Sequence, residues 1–343
     1  MRTARVSPIL LSAIPEEEQN MFNDIRKPEN NISFSSFLSA DYARDYITQD
    51  TPYDEQIGMA AKAIREADHV LIGVGAGMST AAGAEYGGKF FEENFAEFQR
   101  VYGKGPYMQD MYSAGFYPFP DEESRWGLWS HLALIAGADL DVTPLHRLLI
   151  EAIADKRSFI LSTNADHQFE KAGYPEEQIF ATQGSYRRIQ CKRGCHPKTY
   201  DSVELFRRME LERKDGRIPG ALVPRCPVCG GEMTMNLRVD DCFVQDDDWY
   251  AAEERFSRFL SRALDCRLVL LELGVGFNTP TIIRFPFEKL CREHENVSLI
   301  RLNRSKAIVP ASLGRRAIGI SADMAKSITD ICNALDQTGR SES

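Results

Sequence analysis

His69-Val70-Leu71-Ile72-Gly73-Val74-Gly75-Ala76-Gly77-Met78-Ser79 is an apolar run that breaks on glycines and continues into Thr80-Ala81-Ala82-Gly83. A short run of this kind, without strict alternation, reads as a strand covered on both faces. Glycines at a strand-to-helix turn let backbone amides approach a pyrophosphate, and the helix N-terminus adds partial positive charge. Alone, the triad is a weak signal, and a tight turn without a ligand is the plain alternative. A nicotinamide dehydrogenase would place an acidic residue at the end of a second strand about 20 residues on. Phe90-Phe91-Glu92-Glu93-Asn94 stands there and does not read as a strand, so hydride transfer is disfavoured.

Working outward, residues 158–161, 267–273, 297–302 and 317–320 read as further buried strands. Helical patterns fill 53–67, 144–156, 281–295 and 323–335, the first with Ile57, Ala60, Ala61 and Ile64 on one face. Strands alternating with helices predict an α/β fold, a Rossmann-like doubly wound parallel sheet. Two stretches interrupt it. Residues 90–141 are rich in aromatics and read as a helical, partly irregular insert. Residues 186–248 hold the paired cysteines and read as a small zinc-binding module. The expected organisation is an N-terminal extension over 1–52, a discontinuous dinucleotide-binding domain over 53–185 and 249–338, and the module between. Asp246-Asp247-Asp248 reads as a solvated loop.

The chain has 343 residues, 43% hydrophobic and 27% charged, enough for one large domain and a smaller one. No apolar run is long enough to span a bilayer. A net charge of -9 argues against a duplex nucleic-acid partner but leaves a dinucleotide open. Residues 1–14 lack a secretory pattern, which favours an intracellular, cytoplasmic setting with reduced thiols. Arg2 and Arg5 leave an organellar destination open, although Glu16-Glu17-Glu18 follows.

Cys191-Lys192-Arg193-Gly194-Cys195 and Cys226-Pro227-Val228-Cys229 form two short knuckles. Two such pairs make a tetrahedral four-sulfur site, and structural zinc is the expected occupant. The first knuckle has three intervening residues, and His196 is an alternative to Cys195. A closed site of this kind leaves no position for chemistry. Cys242, Cys266, Cys291 and Cys332 read as small apolar packers.

Ser162-Thr163-Asn164-Ala165-Asp166 ends the second strand at the C-terminal edge of the sheet, where ligands bind. Capping a helix or fixing a turn is the alternative. Gln183-Gly184, the cysteine pairs and Gly274-Val275-Gly276 follow in order. This succession resembles the sirtuin family, over about residues 55–335. That family carries Gly-Ala-Gly-x-Ser, Thr-Gln-Asn-x-Asp, His-Gly, two cysteine pairs and a later glycine turn. Three departures stand out. Ala84-Glu85-Tyr86-Gly87-Gly88 replaces Ile-Pro-Asp-Phe-Arg, Thr163 replaces the Gln, and Gln183 replaces the catalytic His. These changes resemble the class M, macrodomain-linked sirtuins.

The resemblance implies NAD as co-substrate and protein ADP-ribosylation as the activity. In bacterial examples the acceptor is a lipoyl-carrier protein, and because members of this class are found beside or fused to macrodomains, a macrodomain hydrolase is a further partner the resemblance leaves open. It implies NAD contacts from Gly75, Ala76, Gly77, Ser79, Tyr86, Thr163, Asn164, Asp166, Gln183, Gly274, Val275, Gly276 and Asn303. Asn303 matches an adenosine-ribose contact. Asn164, Asp166 and Gln183 would carry the chemistry, Asp166 facing the carboxamide.

Breaking the bond between nicotinamide and ribose passes through an oxocarbenium-like cation, which fixed dipoles and carboxylates stabilise. Deacylation needs in addition a base to activate a ribose hydroxyl, and an imidazole suits it. A glutamine amide exchanges hydrogen bonds but does not titrate. Gln183 therefore points to ADP-ribose transfer over deacylation. NAD-dependent deacylation, NAD hydrolysis and a non-enzymatic NAD or ADP-ribose sensor are the competing functions. Retained Asn164 and Asp166 speak against the sensor. His146 reads as structural. His131 remains a further candidate for the site, and His167 lies beside Asp166 with a base role open. The aromatics from Tyr86 to Tyr102 read as core.

Overall fold

In the computed structural model, which describes residues 44–277 and 280–339, the chain enters on strand β1 (Tyr46–Ile47). Helix α1 (Tyr53–Glu66) and strand β2 (His69–Val74) follow, and all six β2 residues are buried. A turn opens α2 (Ala76–Ala81), then come α3 (Gly88–Asn94), α4 (Ala96–Tyr102), α5 (Met111–Gly115) and α6 (Glu122–Ala133). Helix α6 widens into a π turn, Leu134–Ala138. Next are α7 (Pro144–Ala152), β3 (Arg157–Ser162), α8 (Gln168–Lys171) and β4 (Ile179–Ala181). Strands β5 (Gly184–Cys191) and β6 (Thr199–Asp201), helix α9 (Val203–Glu212) and strand β7 (Met233–Leu237) come next. Helix α10 (Asp247–Ala263) leads to β8 (Leu268–Leu273), α11 (Arg284–Glu293), β9 (Val297–Asn303), β10 (Val309–Pro310), β11 (Ala317–Ser321) and α12 (Met324–Gly339). Of the N-terminal extension expected over 1–52, residues 1–43 lie outside the described residues. Residues 44–52 lie against the sheet edge, where β1 pairs with β10 and the Gln49 amide bonds Ala317 and Gly319.

The main sheet is parallel throughout, in the order β4–β3–β2–β8–β9–β11. Strand order reverses between β2 and β8, so their C-terminal ends open the crevice where such sheets bind ligands. One face packs on α1, α7 and α12 through Ile64, Leu149 and Ile328, the other on α10 and α11 through Phe256 and Phe287. The strands expected from the sequence are all present to within one residue at each end. Strand β4 was not expected, because three residues show no periodicity. Asp246-Asp247-Asp248 is not a solvated loop. Asp246 caps α10, its carboxylate accepting from Trp249 N–H at 3.0 Å, and the other two aspartates meet the positive end of the helix. Among the described residues, no helix is long and apolar enough to cross a membrane.

Strands β6–β5–β7 form a separate antiparallel sheet. Its core includes Ile189, Phe206 and Met235, and also Trp126, Ala133 and Leu134 from α6 and its π turn. The aromatic-rich stretch thus serves as one wall of the cysteine-bearing unit. Cys291 and Cys332 are buried as expected of apolar packers, whereas Cys242 is exposed and Cys266 partly so.

Beneath the C-terminal end of β8 lies a buried ionic group. Glu272 of β8 and Arg301 of β9 face each other in register, with Arg301 Nε and Nη2 each 2.8 Å from a Glu272 oxygen. Arg301 Nη1 also reaches Glu288 at 2.8 Å, and Tyr46 donates its hydroxyl to Glu288. Arg284 Nη2 lies 3.3 Å from Glu272, and burial together with Arg301 pulls Arg284 down to about 10. Two cations balance two anions, so removing one leaves an uncompensated buried charge. Arg301→Met is expected to lower unfolding free energy by about 3–5 kcal/mol, read by denaturant titration.

Candidate active site

The site follows from strand register. Val74 and Ser162 are Cα partners across β2 and β3, so the two following turns leave the sheet side by side. Thr163 N–H and hydroxyl both donate to Val74 O, at 2.9 and 3.1 Å. Asn164 Nδ2 spends its hydrogens on Gly75 O at 3.2 Å and Ser79 Oγ at 3.0 Å. Ser79 in turn donates to Asp166 Oδ2 at 2.5 Å, and Gln168 N–H reaches Asp166 Oδ1 at 3.2 Å. The first glycine turn and the second motif are therefore one hydrogen-bonded unit.

Asp166 is 6% exposed, and burial raises its pKa against the pull of Ser79. Tyr86 packs beside it. Burial first, then the Asp166 charge, pushes the Tyr86 phenol up, and the same two causes take Tyr186 up to about 12. Both phenols thus stay neutral in the neighbourhood of the one carboxylate. Lys171 Nζ caps the π turn, donating to Gly137, Ala138 and Leu140 carbonyls at 2.6 to 2.9 Å.

The second glycine turn closes over the first. Gly274 has φ 62°, and a Cβ there would sit 2.5 Å from Gly77 Cα. A Cβ on Gly75 or Gly77 would lie 2.7 Å from Gly274 backbone atoms. Gly75 N–H donates to Leu273 O and Gly77 N–H to Gly274 O, so in this conformation the glycines first permit turn-on-turn packing. Asn303 staples the same turn. Its Nδ2 donates to Val275 O at 3.2 Å, and its Oδ1 accepts from Ser305 and Lys306 N–H. Arg284 Nη2 reaches Val275 O at 3.4 Å from below, and its guanidinium lies 4.3 Å from the Phe277 ring centroid. Neighbouring residues 278 and 279 lie outside the described residues.

Gln183 precedes β5, partly exposed, with Arg238 N–H bonding its backbone carbonyl at 3.0 Å. Gly184 has φ 93°, and a Cβ there would meet Asn236 O at 1.9 Å, so only glycine fits after Gln183. Tyr186 N–H bonds Ala165 O at 3.1 Å and ties this strand to the Asn164–Asp166 loop. His146 is buried under Phe169, 2.9 Å from Thr143 Oγ1, and burial brings it down to about 4. His131 lies away from this unit, against Glu210, Phe95 and Phe98.

The four thiols of Cys191, Cys195, Cys226 and Cys229 lie within 4.8 Å of one another. Cys191 and Cys229 Sγ are 3.8 Å apart, Cys195 and Cys226 Sγ 3.5 Å. A zinc tetrahedron with bonds of about 2.3 Å has edges of roughly 3.8 Å, so the donor set fits the ion. Gly194, at φ 56°, absorbs the extra residue of the first knuckle. His196 Nδ1 is 3.1 Å from Cys195 Sγ, while its Nε2 pairs with the Tyr200 hydroxyl at 2.8 Å.

Sequence reasoning missed the Glu272–Arg301–Arg284–Glu288 group and the partners of His167, which are Glu170 and Ser185. A Glu inside an apolar strand and an Arg inside the next were the available signals for the first.

No family model matches the chain. It is 33% identical over 276 residues to a protein ADP-ribosyltransferase of Staphylococcus aureus, a match covering 80% of this chain and 86% of that protein. It is 30% identical over 307 residues to a probable bifunctional ADP-ribose hydrolase/ADP-ribosyltransferase of Fusarium oxysporum f. sp. cubense, covering 84% of this chain and 49% of that protein. Among solved structures it overlays, with TM-score 0.50 and 17% identity, on a structure described as the structural basis of sirtuin substrate affinity; 79% of this chain and 95% of that one are covered. Sheet order, paired turns and thiol cluster together define a sirtuin-type fold. The chain belongs to the sirtuin-family protein ADP-ribosyltransferases.

Proposed function

We propose that the Asn164–Ser79–Asp166 unit is the centre that cleaves nicotinamide from NAD, and that Gln183 steers the ADP-ribosyl group to an acceptor protein. The observation that carries this reading is the hydrogen-bonded chain from Gly75 through Asn164 and Ser79 to Asp166. It sets a carboxylate and an amide at the switch point of the sheet, where an oxocarbenium-like cation needs fixed dipoles and negative charge. Gly75, Ala76, Gly77, Gly274, Val275 and Gly276 line the dinucleotide, with Tyr86 and Thr163 bordering the nicotinamide end and Asn303 holding the adenosine end. The four cysteines hold a structural zinc. A lipoylated carrier, found as acceptor in similar bacterial enzymes, is the proposed protein substrate. An ADP-ribose hydrolase acting in trans is the proposed counterpart, in line with the two activities in the name of the Fusarium relative. The reduced thiols suit a cytoplasmic setting.

Labelled NAD incubated with this chain and an extract of its source cells tests the reading. One labelled protein supports transfer, whereas free ADP-ribose without labelled protein means hydrolysis. Gln183→Ala is expected to lower NAD cleavage. Gln183→His is expected to leave deacetylation of an acetyl-lysine peptide weak, because an imidazole alone does not restore the altered surroundings at Tyr86 and Thr163. Strong deacetylation by the His variant, followed by mass spectrometry of the peptide, would overturn that expectation.

A further inference from the structure

Gln183 cannot take a proton, yet Ser185, two residues further along the chain, is paired with an imidazole that can. Ser185 Oγ lies 2.6 Å from His167 Nε2, and His167 Nδ1 lies 3.0 Å from Glu170 Oε1. A carboxylate only accepts, so Nδ1 carries the hydrogen and Nε2 is left to accept from the Ser185 hydroxyl. Burial works against ionisation of Glu170, but His167 holds its carboxyl below the ordinary range. Ser185 Oγ also accepts from Arg187 N–H at 2.9 Å, which leaves one lone pair for an incoming group. This is the arrangement of hydroxyl, base and orienting carboxylate that activates a nucleophile.

Its placement matters as much as its distances. His167 follows Asp166 directly, and Ser185 follows Gln183-Gly184. Asn164, Asp166, His167 and Glu170 line one cavity. His167 holds φ 59° and ψ 29°, a left-handed conformation costly for a non-glycine residue. Asp215 is the one other such residue among those described. Strain of this kind persists where surrounding structure imposes it, often at working sites. The charged groups around His167 are Glu170, Asp166, Lys171 and Arg187.

We infer that His167, oriented by Glu170 and reached through the Ser185 hydroxyl, is the proton acceptor of the transfer step, and that the acceptor side chain is one that brings a proton: a hydroxyl, amine or thiol. This rests on the proposed cleavage centre at Asn164 and Asp166. The C1′–N bond of NAD breaks and its electron pair goes to the nicotinamide nitrogen, which leaves neutral. A lone pair of the acceptor forms the new bond to C1′. The acceptor proton passes to Ser185 Oγ as the Ser185 proton passes to His167 Nε2. The resulting imidazolium is balanced by Glu170 and later releases its proton to solvent.

The test compares nucleophiles that need a base with one that does not. The full chain is incubated with NAD in water, with methanol or with azide, and nicotinamide, ADP-ribose, methyl ADP-riboside and ADP-ribosyl azide are quantified. His167→Asn is chosen because Asn tolerates the left-handed backbone. It is expected to lower water and methanol products by about 10²–10⁴-fold while azide transfer is little changed. Ser185→Ala should behave likewise, with Ser185→Thr restoring the hydroxyl and the rate. Equal loss of azide and methanol products in His167→Asn would mean a structural role and overturn the inference. So would full methanol transfer in that variant or in Ser185→Ala. Asn164→Ala separates the two readings: loss of every product, azide included, supports the cleavage centre, while persistence removes it whatever His167 does. A native chain that forms no product from any of the three overturns both.

Discussion

Asn164→Ala is expected to lower nicotinamide release from NAD by about 10²–10³-fold while leaving the protein folded. The Asn164 amide is the only side chain seen to bond both the first glycine turn and Ser79, among the described residues. Without it, Gly75 O and Ser79 Oγ lose a donor, and Asp166 keeps only Ser79 and the Gln168 amide. The carboxylate then loses the frame that fixes it relative to the first glycine turn. Misplacement by about 1 Å costs about 10²-fold in rate when a reaction depends on positioning. The stability cost stays near 0.5–1.5 kcal/mol, because Asn164 is only partly buried and water replaces its bonds. Nicotinamide release by chromatography, paired with thermal unfolding, separates the two effects. Release within a few-fold of native, from a folded variant, would move the cleavage centre away from this residue.

The parallel sheet was legible because strands buried on both faces write their burial as unbroken apolar runs. Leu268–Leu273 and Val297–Asn303 show it best. The same criterion hid what interrupts those runs for a reason. Glu272 and Arg301 drew no reading of their own from the sequence, although each is fully buried and each needs the other. Partnership across strands is set by register, which a single sequence does not display. Helix α10 was missed because its aspartates were read as a charge run, not as a cap followed by a first turn. Motif order singled out Asn164, Asp166 and Gln183 as candidates, but not that Ser79 links the first two. Nor did it show that Glu170 and Ser185 bracket His167, since those contacts join the start of the helix Gln168–Lys171 to the strand Gly184–Cys191.

Stripping the cysteine cluster of metal is expected to abolish labelling of the acceptor although the cluster itself does no chemistry. Its two knuckles pin the ends of β5 and β7, and the core they enclose is small: Ile189, Phe206, Met209, Ile218, Leu222 and Met235 with Trp126. A core of that size contributes little beyond the cost of ordering its chain. In zinc-finger peptides the ion supplies roughly 10–16 kcal/mol, ample to decide whether such a unit is folded. Strand β5 begins at Gly184, one residue after Gln183, and Tyr186 N–H holds Ala165 O beside Asp166. Loss of β5 therefore loosens Gln183, Ser185 and the Asn164–Asp166 loop together. The six-stranded sheet has separate cores on α1, α7 and α12 and on α10 and α11, and should keep its far-ultraviolet dichroism. Near-ultraviolet dichroism should fall, because Trp126 stacks on Phe206 with ring centroids 6.1 Å apart. Thiolates, not thiols, hold the ion, so acidification favours the stripped state and chelation should proceed faster as pH falls. Cys226→Ser should reproduce the effect without a chelator, with metal content read by mass spectrometry. Release of the metal with near-ultraviolet dichroism and labelling both intact would show that the apolar core, with its wall from α6, suffices to hold β5 in place.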